Sequence, residues 1–472
     1  MTRDSVTHNS MTNSSMTNDS KTRTGDPVAV LQGVLGETRC SGDAATRAMY
    51  AVDGCRPQAV AWPRTAEEVG AVLAAANAHG WAVIPWGSGS ALAEGDVPTR
   101  YDVALMTTDL GELLDEDADN LTVTVAAGMR AAELNRRLRD ARLHLPLTLG
   151  EGQGTIGGAL MADRPLPKRL LHGDLRDLLL GLRVALPDGS LVRYGRKVIK
   201  NVAGYDMNKL FLGSRGMLGV VVEATLRVTT LPDQEAWLVA GYASIRGAAQ
   251  GAAALYGSAL LPACLHILLG DAVVAFQGMP GADLPEGRAL LVVGFEGRGV
   301  TVRRQLADAN RLLLAADASA VAELETLPAA LAAALDDPRH AAPHPVAALR
   351  LSVAPTAVAE SVARAVGTLV LPNMSVGVAA DYSAGVVRLV LSGEDDDMWE
   401  RLGRRLAELR RGLADHGGLA MVSAAPTAFK ALAPAWGELG GEGRLMQRIK
   451  QQFDPLDMLV PGRYVPAYRP QS

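Results

Sequence analysis

Three glycine-rich segments hold the residues whose types and spacing best suit binding chemistry. Gly87-Ser-Gly-Ser90 pairs two serine hydroxyls with two glycines, whose missing Cβ atoms let backbone N–H groups approach an anion. Gly150-Glu-Gly-Gln-Gly-Thr-Ile-Gly-Gly158 places five glycines in nine residues, with the Thr155 hydroxyl among them and small Ala159 and Ala162 behind. Gly213-Ser-Arg-Gly-Met-Leu-Gly219 runs into the strand-like Val220–Val222. Any one of these reads as an ordinary loop. All three together, each beside a strand, point to a long ligand that carries phosphates. A dinucleotide GxGxxG fingerprint is excluded, because Leu92 stands where its third glycine belongs and the residues that follow make no helix. The GxxxxGK[ST] phosphate loop is absent from the sequence.

The elements that must position these loops follow from periodicity and caps. Thr65-Ala-Glu-Glu68 opens a helix with Val69, Val72, Leu73 and Ala76 on one face, and Gly80 stops it. Trp81–Pro85 is a short buried strand that delivers the first glycine loop; Val103–Thr107 and Leu121–Ala126 are strand-like. Arg130–Ala141 reads as a helix, and Leu178–Leu186, Pro187-Asp-Gly189 and Leu191–Tyr194 as a hairpin. Leu218–Val228 is a further strand, and Thr230-Leu-Pro-Asp233 breaks the pattern at a domain boundary. Beyond it, strands are expected at Trp237–Tyr242, Cys264–Leu269, Ala272–Phe276, Leu290–Phe295, Ala348–Val353, Ser375–Ala380 and Val386–Leu391. Helices are expected at Val302–Ala315, Met398–Leu413 and around Leu445–Phe453. That rhythm predicts an α+β domain, an antiparallel sheet covered by helices.

Composition narrows the function classes. Lys and Arg number 46 against 51 Asp and Glu, a net charge of −5, which excludes a general polyanion binder and makes nucleic acid an unexpected partner. Cys40, Cys55 and Cys264 are far apart, so they build no disulfide framework, iron–sulfur site or zinc site, and an intracellular chain is expected. Residues 1–26, polar and nearly free of aliphatics, are expected to be a disordered extension rather than a signal peptide. Gly247–Gly270 carries no charge, yet Pro262 and its Ala/Gly content fit an Ala-rich helix and a buried strand better than a membrane span.

From Pro57 to about Pro232 the chain resembles the flavin-binding domain of vanillyl-alcohol-oxidase (PCMH-type) flavoproteins. The likeness rests on Pro85-Trp-Gly-Ser-Gly-Ser90, Ala127-Gly128 with Leu134, Gly154-Thr-Ile-Gly-Gly158, Gly173-Asp-Leu-Arg-Asp177, Pro187-Asp-Gly189 and Gly213–Gly219. Within that superfamily, the run from Gly195 to Leu210, Leu349-Arg-Leu-Ser-Val353 and the ending Phe453–Arg463 are similar to the FAD-binding E subunit of bacterial glycolate oxidases. The resemblance implies a PCMH-type FAD-binding domain of two α/β subdomains over residues 27–232 and an α+β cap or subunit-interface domain over 233–472. It implies that Pro85, Gly87, Ser88, Gly89 and Ser90 wrap the FAD pyrophosphate. Gly154, Thr155, Ile156, Gly157 and Gly158 would contact the ribityl and diphosphate region, Gly173 and Arg176 would lie along the cofactor, and Gly219 and Val221 would meet the adenine end. The pattern departs in two places: Met161–Lys168 replaces the usual small residues, Asn and Gly, and Val460 stands where many relatives have Asn. The first loop offers no His for covalent attachment, so non-covalent FAD is expected.

Oxidation of a 2-hydroxy acid needs a carboxylate clamp, a base and a hydride acceptor. Lys200, Asn201, Tyr205 and Asp206 form one polar cluster, in which Lys200 would stabilise reduced anionic flavin or else simply pair with Asp206. Arg350 is a carboxylate clamp or an exposed residue of a half-buried strand. His172 sits next to Gly173, and a base role for it is weighed against a surface or core position. No His-x-His motif occurs, and His340 and His344 lie in a Pro-rich loop, so no metal is expected. Glu394–Asp397 and Arg401–Arg411 read as solvated helix faces or a subunit interface. The reading is an FAD-dependent oxidoreductase subunit of a glycolate oxidase-type complex, acting on glycolate or D-lactate. Its partners would be a second FAD-binding subunit and an iron–sulfur subunit. It would be cytoplasmic, at most peripheral at the inner membrane through that complex. The rivals are a stand-alone FAD-linked 2-hydroxy-acid dehydrogenase and a non-catalytic FAD-binding relay or assembly subunit.

Overall fold

In the computed structural model, residues 24–147, 154–195, 205–276, 284–342, 344–393 and 398–465 are described. The part before residue 231 holds two principal sheets. In the first, strands Ala59–Ala61 and Val83–Trp86 flank Val103–Met106 in parallel, and Cys40–Ser41 adds an antiparallel edge. Parallel neighbours need a crossover, and helix Ala66–His79 supplies it. Thr65 caps that helix through the Glu68 N–H, and Gly80 closes it in the left-handed conformation that glycine adopts without strain. Glu68 turns outward instead, to Arg39 and to the N–H of Arg64. Buried Asp102 fixes the sheet's entry edge by accepting from the Ala82 N–H and from Gln58.

The second sheet is antiparallel, in the order Leu113–Asp117, Thr122–Ala126, Val220–Arg227, Leu179–Ala185, Leu191–Gly195. The hairpin at Pro187-Asp-Gly189 pairs Ala185 with Leu191. Leu113–Asp117 escapes the sequence reading because its three acidic residues mask an edge strand with alternating exposure. The helix expected at Arg130–Ala141 is Ala131–Leu138 followed by a 3-10 turn, Arg139–Ala141.

An eight-stranded antiparallel sheet occupies residues 234–424, with Gln234–Tyr242, Ala289–Gly297, Cys264–Gly270, Ser375–Asp381, Val386–Ser392 and Pro345–Ser352 as its interior strands. Helices Ile245–Tyr256, Gly299–Ala315, Val358–Leu369 and Met398–Ala414 cover one face. Their buried Leu255, Leu306, Val362 and Leu406 meet Leu238, Leu291, Leu349 and Leu389 in one aliphatic layer. At one end of the sheet the opposite face is apolar too, with Trp237, Val239 and Leu290 against Leu331 and Leu335. At the other end that face carries Arg350 and Arg388, alternating with Leu349, Leu351, Val387 and Leu389 of the helix-covered layer.

Ala272–Phe276, expected as a strand, opens instead within the short helix Asp271–Val274. Ala272, Val273 and Phe276 are spaced for one helical face and are buried together, while Gly270 at φ 63° ends the preceding strand. Among the described residues no helix is long and apolar enough to cross a membrane. The uncharged Gly247–Gly270 run resolves into helix Ile245–Tyr256 and strand Cys264–Gly270.

The chain's end returns to the first part. Ile449 and Phe453 of helix Gly441–Phe453 pack on the second sheet's core, and Met458 and Leu459 join the first sheet's core. The Val83 N–H donates to the Met458 carbonyl at 2.7 Å, and the Val460 N–H to the Val83 carbonyl at 2.9 Å.

Candidate functional site

The first glycine loop leaves strand Val83–Trp86 and faces the turn that starts helix Ile156–Ala162. A Cβ on Gly87 would collide with Thr155 Oγ1, so the close approach of the two segments requires glycine there. Thr155 is fully buried and caps its helix, its hydroxyl accepting from the Gly158 N–H at 3.1 Å. The Ile156 and Gly157 N–H groups donate to the carbonyls of Met129 and Ala127, both at 2.8 Å. The amides of this segment are thus spent inside the protein. Its glycines contribute room, since a Cβ on Gly158 would meet nothing but the Thr155 hydroxyl, at 2.9 Å. Ser88, Gly89 and Ser90 differ: their N–H groups donate to no described residue. The serine-glycine loop therefore supplies the donors, and the second segment supplies the space opposite.

That space is a cavity of about 710 Å³ reaching from Ser90, Gly154 and Gly158 to Arg164, Arg339 and Arg388, the size of a cofactor site. A smaller pocket shares Arg164, Arg339 and Arg388 with it and adds Arg350. Arg164 donates to the Ser90 carbonyl at 2.9 Å, tying the departing Met161–Lys168 segment to the glycine loop. Arg339 is held by Asp337, whose pKa is lowered because that ion pair outweighs its burial. Arg215 pairs with Glu94 and lies over the rings of Trp436 and Tyr464, at 5.2 and 5.7 Å.

Arg350 and Arg388 stand apart from these pairs. They are direct cross-strand partners on one face of the sheet, and both line the smaller pocket. Arg388 donates to the Leu335 carbonyl at 3.2 Å. Burial lowers the pKa of each, reinforced at Arg350 by Arg215 and at Arg388 by Arg164. Like charges facing each other across a ladder repel, and a guanidinium stays protonated, so an anion between them would relieve the site.

Of the other residues singled out in the sequence, Gly173 closes helix Arg169–His172 at φ 80°, and Arg176 is exposed. Gly219 and Val221 lie against strand Leu179–Ala185, where a Cβ on Gly219 would strike Val184. Lys200 and Asn201, like Glu394–Asp397, fall outside the described residues. Tyr205 is 94% exposed, and Asp206 pairs with Lys209 at 3.1 Å. The structure therefore does not bring Tyr205 together with Arg350. His340 lines the large cavity and His344 is exposed.

Two models of protein families match the chain: an FAD binding domain over residues 57–195 and the C-terminal domain of FAD linked oxidases over residues 231–464. The chain belongs to the FAD-linked oxidases. It is an FAD-dependent oxidoreductase, and the FAD binding domain match spans both the serine-glycine loop and the Thr155 turn. Glycolate oxidase subunit GlcD of Bacillus subtilis is 28% identical over 425 residues, covering 86% of this chain and 88% of that protein. D-2-hydroxyglutarate dehydrogenase of Xanthomonas citri pv. viticola is 36% identical over 177 residues, 37% of this chain and 38% of that one. Among solved structures, p-cresol methylhydroxylase superposes with a TM-score of 0.75 at 14% identity, over 93% of this chain and 96% of that chain, which shows the shared PCMH-type fold.

The donor set of this FAD-linked oxidase fits the cofactor: unspent amides suit a pyrophosphate, and the Cβ-free wall at Gly158 admits it. The chain's Pro461-Gly-Arg463 ending also finds a physical role. Arg463 is fully buried, pairs with Asp53 at 3.3 Å and donates to the Leu92 carbonyl at 2.6 Å, which holds the exit of the glycine loop. Val460 sits at φ 44°, a conformation that a β-branched residue resists and that Asn would tolerate better. Sequence reasoning missed Arg164, Arg215, Arg339 and Arg388. Each stands on a different segment, three of them outside any strand, and tertiary packing rather than spacing assembles them.

Proposed function

We propose that the chain is the FAD-binding subunit of a glycolate oxidase-type complex, oxidising a small 2-hydroxy acid, glycolate or D-lactate, to its 2-oxo acid and passing electrons to an iron–sulfur partner subunit. The observation that carries this reading is the Arg350–Arg388 pair, two half-buried cations lining a pocket that adjoins the cavity beneath the glycine loops. Named relatives that act on glycolate and D-2-hydroxyglutarate support the substrate class.

When bound, FAD supplies the two-electron acceptor. Arg350 and Arg388 hold the substrate carboxylate by charge-assisted hydrogen bonds and so fix the orientation of the hydroxyl-bearing carbon. The His340 Nδ1 donates to the Ala333 carbonyl at 3.1 Å, which leaves its Nε2 lone pair to accept the hydroxyl proton. The wall of Leu147, Leu166, Pro167 and Leu335 keeps the cavity's flank apolar and limits water. Lys200 keeps the role its motif suggests, a positive charge that stabilises the reduced cofactor. Lys200→Ala should then lower the reduction potential, and an unchanged potential in redox titration removes it from that role.

A second reading, a stand-alone 2-hydroxy-acid dehydrogenase, is favoured by the presence of cradle and arginine pair in one chain. Purification alone and after co-expression with the candidate partners separates the two. FAD bleached anaerobically by glycolate or D-lactate in the isolated chain supports the stand-alone enzyme. Bleaching that appears with the co-purified partners supports the subunit reading. FAD that no 2-hydroxy acid bleaches in either preparation refutes both.

A further inference from the structure

Where the two parts of the chain meet, five ionisable side chains are packed together, none of them lining the large cavity. His144 stands on strand Leu143–His144, and Lys168 and His172 flank helix Arg169–His172. Glu235 and Glu296 come from strands Gln234–Tyr242 and Ala289–Gly297 of the eight-stranded sheet. Lys168 bonds Glu235 at 2.9 Å and the Glu296 Oε2 at 2.8 Å. The other Glu296 oxygen, Oε1, faces the His172 Nε2 at 2.6 Å. Both ring nitrogens of His144 are buried with no hydrogen-bond partner among the described residues; the Thr230 backbone lies near without reaching bonding geometry.

A buried imidazole with two unused nitrogens is costly, and a native protein normally gives such a group a partner. The His144 and His172 rings meet edge to face with centroids 5.8 Å apart, and donor atoms of His144, His172 and Glu296 all lie within 4.8 Å of one another. Two imidazole nitrogens and one carboxylate oxygen form a donor set suited to Zn²⁺, with a fourth position left for water. We propose that His144, His172 and Glu296 form a zinc site that fastens the FAD-binding part of the chain to the eight-stranded sheet.

The charges admit the ion. With neutral imidazoles the five side chains sum to −1, one ammonium against two carboxylates. Lys168 occupies the far oxygen of Glu296 and Glu235, so Oε1 can exchange its hydrogen bond to His172 for a metal bond. Neither ring nitrogen of His144 is engaged by a described residue, so a nitrogen is available to the ion. A tetrahedral zinc with bonds of about 2.0–2.1 Å needs donors roughly 3.4 Å apart. The His172–Glu296 contact opens slightly and His144 moves inward to reach that spacing.

The test uses the full-length, FAD-loaded protein, stripped with a chelator, dialysed and titrated with Zn²⁺ and in parallel with Co²⁺. One equivalent should bind per chain, and Co²⁺ should give the intense visible bands of a four-coordinate ion. His144→Ala and Glu296→Gln should each weaken Zn²⁺ binding by about 100-fold or more, beyond what losing an outer-shell partner costs. The glutamine still offers Lys168 an oxygen, so Glu296→Gln keeps the test open if His144→Ala fails to fold. His416→Ala, at an exposed histidine outside the cluster, should bind like the wild type. A wild type that takes up no stoichiometric Zn²⁺, or a folded variant of His144 or Glu296 that binds as tightly as the wild type, overturns the proposal.

Discussion

The serine-glycine loop and the eight-stranded sheet meet opposite requirements. Around Ser88–Ser90 the N–H groups donate to no described residue and the side chains are small, so the region gains little from packing. In the sheet, the interior strands are paired on both sides and Leu238, Leu291 and Leu389 are sealed beneath helices, so stability comes from buried aliphatic surface. Binding is built where packing is sacrificed. The arginine pair joins the two, because it places two cations on the back of a packed sheet.

The contrast can be broken at its strongest point first. Gly158→Val adds side-chain volume to the cavity wall while its Cβ meets nothing but the Thr155 hydroxyl. FAD retention should fall to background, with the far-ultraviolet circular dichroism unchanged; full flavin occupancy would show that this wall does not face the cofactor. Arg350→Ala comes next: kcat/KM should drop about 100-fold or more, the ~3 kcal/mol of a charge-assisted carboxylate contact, and Arg350→Lys should recover part of it. Steady-state kinetics on the complex checks both. Leu291→Ala, in the helix-covered layer, should lower unfolding free energy by about 2–5 kcal/mol in denaturant titrations and leave FAD affinity within about twofold. Thr155→Val removes a helix cap and should cost about 1 kcal/mol. At the bottom, Arg142→Ala breaks an exposed pair with Asp233, and its effect should stay within about 0.5 kcal/mol.

The same contrast governs what the sequence made legible. The glycine segments were readable as loops, and Thr155 caps its own helix locally, but the need for Gly87 comes from its contact with Thr155, which only the fold creates. Nor could the sequence tell that the Ile156 and Gly157 amides are spent on Met129 and Ala127, which depends on tertiary pairing. The sheet's strands were readable from apolar runs, while Asp271–Val274 was misread because four or five apolar residues fit either period. Arg350 was visible as a candidate, yet its partner Arg388 was not. The two lie 38 positions apart in sequence, and the register of Pro345–Ser352 against Val386–Ser392 alone makes them neighbours. His144 and Glu296 escaped for the same reason, and His172 was weighed only as a base, because the fold alone brings the three together.

The central claim is that the arginine pair beside the FAD cradle is a carboxylate site. Oxalate, a two-carbon acid with no hydroxyl-bearing carbon to oxidise, tests it directly when titrated into the FAD-loaded complex while the flavin absorbance is followed. The wild type should show a saturable spectral change, with a Kd raised at least about 100-fold in Arg350→Ala. A wild type whose flavin spectrum ignores oxalate, or an Arg350→Ala protein that binds it as tightly, would remove the carboxylate role from the arginine pair.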